Sequence, residues 1–153
     1  MHVHTVSPLP IETDIPEKVI DGEICLELSE ESRRLIDQCR QYLDRKVRNS
    51  AELIYGVNTG FGGLHNVAVG NKDLERLQNN LVMSHACGMG PQVPEVIVRL
   101  MLFLKIRSLS YGYSGVQLKT VERLVDFFNL GVSPVVYEQG SLGASGDLAP
   151  LAH

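Results

Sequence analysis

Two glycine-rich segments constrain the fold of this 153-residue chain most strongly, because neither can form a regular helix or strand. Residues 55–63 contain four glycines, and a second run of small residues extends from Gly140 to Gly146. Asp147 follows directly and is an acidic residue suited to the first turn of a helix. Apolar residues recur at helical spacing elsewhere in the chain. The pattern predicts a mainly α protein in which glycine-rich loops interrupt long helices, with little β structure.

The helix boundaries follow from the apolar periodicity and from residues that favour helix ends. Ser29 is a favoured N-cap residue and predicts a helix that runs to about Val47. Further helices are predicted over about 72–86, 94–111 and 116–129.

The remaining segments are predicted to be short strands or irregular. Glu23–Leu28 alternates polar and apolar residues, which favours a short strand. Pro134–Tyr137 is predicted to be extended or a short strand. Residues 1–22 hold three prolines and are predicted to form an irregular arm with one helical turn at best, with His2 and His4 in solvent.

Charge and hydropathy argue against several classes of partner. The net charge of −4 disfavours nucleic acids and anionic membranes, because both bind basic surfaces. The most apolar stretch, Val96–Leu104, contains Arg99 and is closed by Lys105, so it is too short for a membrane span. The N-terminal residues show no signal-peptide pattern. These features predict a cytoplasmic protein.

The three cysteines, Cys25, Cys39 and Cys87, are odd in number and widely spaced. They suit buried, reduced thiols better than a disulfide framework. His85-Ala86-Cys87 lacks the second cysteine pair that a zinc site needs, so no metal is predicted.

Ala144-Ser145-Gly146 can in principle form an electrophile from its own backbone. In a tight bend the amide nitrogen of Gly146 can attack the carbonyl carbon of Ala144, an approach that a Cβ on residue 146 would block. Loss of water from Ser145 then leaves an exocyclic methylidene. A Gly/Ser turn that caps a helix is the ordinary alternative for such a tripeptide.

Three segments, in order, resemble the histidine and phenylalanine ammonia-lyase family. They are the loop Tyr55–Gly62, the helical segment Leu77–Gly88, and Gly140–Leu151, which carries the Ala-Ser-Gly. The resemblance implies a 4-methylidene-imidazol-5-one (MIO) group formed from Ala144, Ser145 and Gly146, with neither metal nor nucleotide. It also implies the L-aspartase/fumarase-like helical superfamily. Residues 1–153 would then be one MIO-bearing N-terminal portion of a longer lyase, with residues 1–22 as the arm, 23–153 as an incomplete helical domain, and the central helical bundle in later sequence.

The family resemblance also implies roles for particular side chains. Tyr55, at the start of the glycine-rich loop, is expected to be a catalytic acid/base or positioning residue. Ser84 and His85 are expected to contact the substrate side chain, and this pair looks like the histidine-specific version. A neutral imidazole can exchange a hydrogen bond with the substrate imidazole. Asn58 and Phe61 are interpreted as loop-shaping residues.

The implied activity is non-oxidative elimination of ammonia from L-histidine to give trans-urocanate, the first step of histidine degradation, by a homotetramer that shares active sites between subunits. Residues 1–153 alone are expected to be inactive, because the arginine that binds the substrate carboxylate in the family lies in later sequence. A tyrosine or phenylalanine ammonia-lyase, an aminomutase, and an inactive fragment remain alternatives.

Two other glycine motifs are excluded, because a required glycine is replaced by another residue in each. A dinucleotide-binding GxGxxG needs glycine where His65 stands. A serine-hydrolase GxSxG needs glycine where Asp147 stands, so an ordinary Ser145 nucleophile is a distant second.

Overall fold

The computed structural model describes residues 2–49, 52–143, 146 and 148–153. The helices are α1 (Ile15–Ile20), α2 (Glu30–Asn49), α3 (Leu74–His85), α4 (Glu95–Ser110), α5 (Leu118–Asn129) and α6 (Leu148–Ala152). The strands are β1 (His2–Val6), β2 (Ile24–Leu28), β3 (Met89–Gln92) and β4 (Tyr137–Gln139). Short 3₁₀ turns lie at Gly62–Leu64 and Asn71–Asp73. The mainly α prediction is confirmed, and the four long predicted helices end within a residue or two of their expected positions.

The described chain divides into two compact units, which are considered separately. Met1–Asp44 and Val93–Pro134 form the N-terminal unit, and Arg45–Gln92 with Val135–His153 form the loop unit.

In the N-terminal unit, strands β1 and β2 pair in parallel, with α1 in the connection between them. Val6 of β1 and Val19 of α1 are fully buried, as are Phe103 of α4 and Phe128 of α5. Burying a large apolar side chain contributes about 1.5–3 kcal/mol, so these elements hold one another in place. Ser29 caps α2 as predicted, since its Oγ accepts the amide of Ser32 at 3.1 Å.

The first 22 residues correct the prediction of an irregular arm, because they contribute a strand and a helix to this core. His4 is likewise not in solvent. Its ring lies edge-on to Phe103, with the centroids 6.0 Å apart, and its Nε2 is buried without a hydrogen-bond partner among the described residues. Burial, and then the charge of Arg107, lower the pKa of His4 below its ordinary value. His2 is exposed, as expected.

Polar side chains complete the backbone hydrogen bonding around the two-stranded sheet. The Asn129 amide bonds β2 from the side, accepting from Leu26 N at 2.7 Å and donating to Leu26 O at 2.8 Å. The Arg99 guanidinium donates to the carbonyls of Val19 and Phe128, each at 3.1 Å. These groups are part-buried, so leaving them unpaired would cost about 1–3 kcal/mol each.

In the loop unit, β3 and β4 pair antiparallel with an irregular register between Met89 and Gln92. Strand β4 begins at Tyr137, the last residue of the predicted Pro134–Tyr137 segment, and β3 was not predicted. Cys87, directly before β3, is exposed, which corrects the expectation of a buried thiol, whereas Cys25 and Cys39 are partly buried. None of the three forms a disulfide.

Among the described residues, no helix combines the length and apolar character needed to cross a bilayer.

Candidate active site

A cavity of about 740 Å³ lies in the loop unit, within the size range of small-molecule sites. One wall is the glycine-rich loop, represented by Tyr55, Phe61 and the backbone of Gly60 and Gly62. A second wall is a single face of α3, with residues at the i, i+3, i+4, i+7 and i+8 spacing of one helix side: Leu77, Asn80, Leu81, Ser84 and His85. Leu148, the first residue of α6, completes the lining. Three of the residues singled out from the sequence, Tyr55, Ser84 and His85, therefore line one cavity.

The loop is held in shape by its own polar side chains. Asn58 Oδ1 accepts the amide of Ile54 at 2.7 Å, and its Nδ2 donates to Glu52 O at 3.0 Å. Thr59 is fully buried, and its hydroxyl accepts from Gly56 N at 3.2 Å and donates to Gly60 O at 2.9 Å. The loop-shaping interpretation of Asn58 agrees with these contacts.

Tyr55 is placed at the cavity with its hydroxyl near a backbone donor. The amide of Gly62, the first residue of a 3₁₀ turn, donates to the Tyr55 hydroxyl at 3.4 Å. This contact orients the hydroxyl at the edge of the cavity. The Tyr55 side chain is 62% exposed in this chain, so its hydroxyl is accessible to a ligand.

The His85 ring is oriented by the helix that carries it. Its Nδ1 lies 2.7 Å from the carbonyl oxygen of Leu81 and 3.1 Å from Ser84 Oγ. Ser84 Oγ also donates to Leu81 O, at 2.8 Å. Because a carbonyl only accepts, the proton of a neutral His85 ring must sit on Nδ1. Nε2 of that ring is then a hydrogen-bond acceptor.

Phe61 connects the two predicted side-chain positions. Its ring centroid lies 5.5 Å from that of Tyr55 and 5.6 Å from that of His85, with an edge-on arrangement at His85. Such aromatic pairs contribute about 0.5–1.5 kcal/mol beyond their buried area. Phe61 therefore both shapes the loop, as expected, and sets the spacing of two cavity residues.

The second glycine-rich segment begins beside the end of α3. Gly140 has φ of +110°, and a Cβ there would lie 2.6 Å from the carbonyl oxygen of Cys87. Cys87 Sγ in turn donates to Gly140 O at 3.5 Å. Only glycine permits this close approach. It places the start of the segment against Cys87, which follows His85 by two residues.

Ala144, Ser145 and Asp147 lie outside the described residues, so ring formation and the helix-opening role of Asp147 stay predictions. Gly146 is described. It has φ of +85°, its amide donates to Gly143 O at 3.2 Å, and the space where a Cβ would stand is open. Gly146 thus adopts a backbone conformation that favours glycine, which is compatible with an MIO group at this position.

Two participants were not found from the sequence. Leu148 lines the cavity. Its position three residues after Ser145 is the signal in the sequence that could have indicated it. Gln78 donates from Nε2 to Gly56 O at 3.0 Å and to Val57 O at 3.2 Å. Its helical spacing of seven residues from His85 is the signal that could have indicated it.

This combination of helices, glycine-rich loop and cavity defines the fold of ammonia-lyases and aminomutases. Histidine ammonia-lyase from Trypanosoma cruzi superposes with a TM-score of 0.84 at 32% identity, covering 100% of this chain and 28% of that one. Tyrosine aminomutase from Streptomyces globisporus superposes with a TM-score of 0.88 at 31% identity, with the same coverages.

The family model described as aromatic amino acid lyase matches residues 13–153. The chain therefore belongs to the aromatic amino acid lyase family. It is 48% identical over 126 residues to histidine ammonia-lyase of Caldanaerobacter subterraneus subsp. tengcongensis, covering 82% of this chain and 25% of that protein. The chain thus spans about a quarter of the length of the curated relatives it matches.

Proposed function

We propose that the protein carrying this chain is a histidine ammonia-lyase, which converts L-histidine to trans-urocanate and ammonia as the first step of histidine degradation. The observation that carries the proposal is that His85 and Tyr55 line the same cavity. The His85 ring is held with Nδ1 on a carbonyl oxygen, which leaves Nε2 as an acceptor. The 48% identity to a histidine ammonia-lyase supports it.

His85 would recognise the substrate side chain. The substrate imidazole carries an N–H that Nε2 of His85 can accept, and Ser84 lies beside it on the cavity wall. A phenyl ring has no such donor, so a phenylalanine substrate would leave the imidazole unpaired. A phenol does have one, which is why tyrosine remains the closest competitor.

Tyr55 would act as the acid/base. Its hydroxyl lies at the cavity and is oriented by the backbone amide of Gly62, where it can take up the β-hydrogen of the substrate as a proton. Phe61, Leu77, Leu81 and Leu148 supply apolar walls around this site.

An MIO group formed from Ala144, Ser145 and Gly146 would supply the electrophile that no ordinary side chain provides. The positive φ of Gly146, a conformation that favours glycine, supports this assignment.

We also propose that the enzyme is a cytoplasmic homotetramer with shared active sites that uses no metal and binds no nucleic acid. The absence of a disulfide among the three cysteines and the net charge of −4 are consistent with this setting. The family resemblance supports the tetramer.

A tyrosine or phenylalanine ammonia-lyase or aminomutase is the second candidate. The superposition on tyrosine aminomutase, with a TM-score of 0.88, supports this second candidate. An aminomutase would return an amino acid with its amino group moved to the β-carbon, whereas a lyase releases free ammonia.

Product analysis separates these activities. The purified full-length protein should release ammonia and urocanate from L-histidine, with much lower turnover of L-tyrosine and L-phenylalanine. Accumulation of a β-amino acid, or faster turnover of tyrosine than of histidine, would contradict the proposal.

Replacing His85 by Leu should shift substrate choice. Loss of one hydrogen bond to a buried polar partner costs about 1–3 kcal/mol, so kcat/KM for histidine should fall about 5- to 150-fold more than kcat/KM for phenylalanine. His2→Leu, at an exposed position on β1, is the matched control and should change neither value. Equal losses on both substrates would show that His85 serves folding or catalysis in general.

A further inference from the structure

Gln78 on α3 connects the glycine-rich loop to the helix that carries Ser84 and His85. A side-chain amide has two N–H donors, and those of Gln78 meet two consecutive carbonyls, Gly56 O at 3.0 Å and Val57 O at 3.2 Å. Gly56 directly follows Tyr55, so this contact is made one residue from the proposed acid/base.

The loop is held by its own hydrogen bonds, by a bridge between Thr59 and Ala68, and by contacts with α3. Asn58 and Thr59 close the loop on itself. A second contact with α3 is made by Phe61 on His85, with ring centroids 5.6 Å apart. Residues 78 and 85 are about 10 Å apart along the helix axis at 1.5 Å per residue. The loop is therefore attached to α3 at two separate points.

We propose that Gln78 is a positioning residue for the reaction: it fixes the loop on α3 so that the Tyr55 hydroxyl is held at a set distance from the His85 ring. The inference rests on the proposed function in that Tyr55 is taken as the acid/base. Gln78 lies beside the cavity-lining face of α3 and acts through Tyr55, without contact to the substrate.

The reason for a catalytic effect is geometric. Two exposed hydrogen bonds contribute little to global stability, since a typical bond adds about 0.5–1.5 kcal/mol. Proton transfer, however, is sensitive to displacement, and a shift of about 1 Å can cost about 100-fold in rate. Loss of Gln78 should thus affect turnover far more than folding.

The test replaces Gln78 by Met in the full-length enzyme, which preserves side-chain length and removes both donors. We expect kcat for histidine to fall about 10- to 100-fold and KM to change less than about threefold. Gln41→Met, at an exposed position on α2, is the matched control and should leave both values unchanged. A Gln78→Met enzyme with kcat within about twofold of the parent would overturn the proposal.

A double-mutant cycle distinguishes positioning from general support. If Gln78 acts through Tyr55, adding Gln78→Met to a Tyr55→Phe enzyme should lower kcat by less than about twofold further. The same loss in both backgrounds would overturn the proposal.

Hydrogen exchange tests the attachment independently of activity. Gln78→Met should speed amide exchange about tenfold in residues 54–62 and leave residues 86–92 unchanged. Unchanged exchange in the loop would overturn the proposal. An unaltered enzyme with no lyase activity would instead refute the proposed function, while exchange still decides whether Gln78 holds the loop.

Discussion

Replacing Ser145 by Ala in the full-length protein should abolish ammonia release from L-histidine, with kcat reduced by about 10³-fold or more. Cyclisation of Ala144-Ser145-Gly146 and loss of the Ser145 hydroxyl each remove one water. Intact-mass measurement should therefore show the unaltered protein lighter than its sequence by two waters, and the Ala variant should lack the deficit due to the hydroxyl.

Ser141→Ala is the matched control, because Ser141 lies in the same segment but outside the tripeptide. It should keep the full mass deficit and the activity. A parent protein of unmodified mass with full activity would end the MIO proposal and return Ser145 to the status of an ordinary nucleophile.

Tyr55→Phe should lower kcat for histidine by about 10²- to 10⁴-fold, the usual contribution of a positioned acid/base. The substitution keeps the ring that packs on Phe61 at 5.5 Å and removes only the oxygen that accepts from Gly62. The mass deficit should persist, which separates a catalytic loss from a failure to form the MIO group. Steady-state kinetics and intact mass on one preparation provide both measurements.

Tyr113→Phe is the control for this experiment, since Tyr113 is 89% exposed and lies in the N-terminal unit. It should leave kcat unchanged. If Tyr55→Phe retained kcat within about tenfold of the parent, the acid/base would have to be another residue.

The long helices were predictable because their determinants are local. Apolar periodicity and the Ser29 cap identify α2 through sequence neighbours alone, and the observed hydrogen bond to Ser32 follows directly. Tyr55, Ser84 and His85 were found by similarity of motifs, and the structure places them around one cavity.

Strands β1 and β3 were not predictable from local sequence, because each becomes a strand only by pairing with a segment distant in sequence. β1 becomes a strand by pairing with β2, about twenty residues later, and that pairing brings His4 against Phe103. β3 contains Gly90 and Pro91, which disfavour strands, and it exists through its pairing with β4.

The sequence by itself determined the helices, the irregular loops and the residue types available for chemistry, since these depend on short-range periodicity and on the identity of side chains. Only the tertiary structure decided that Phe61 spaces Tyr55 from His85 and that Gln78 fastens the loop to α3. Each of these depends on a hydrogen bond or ring contact of about 3–6 Å, and local sequence patterns do not encode distances between separate elements.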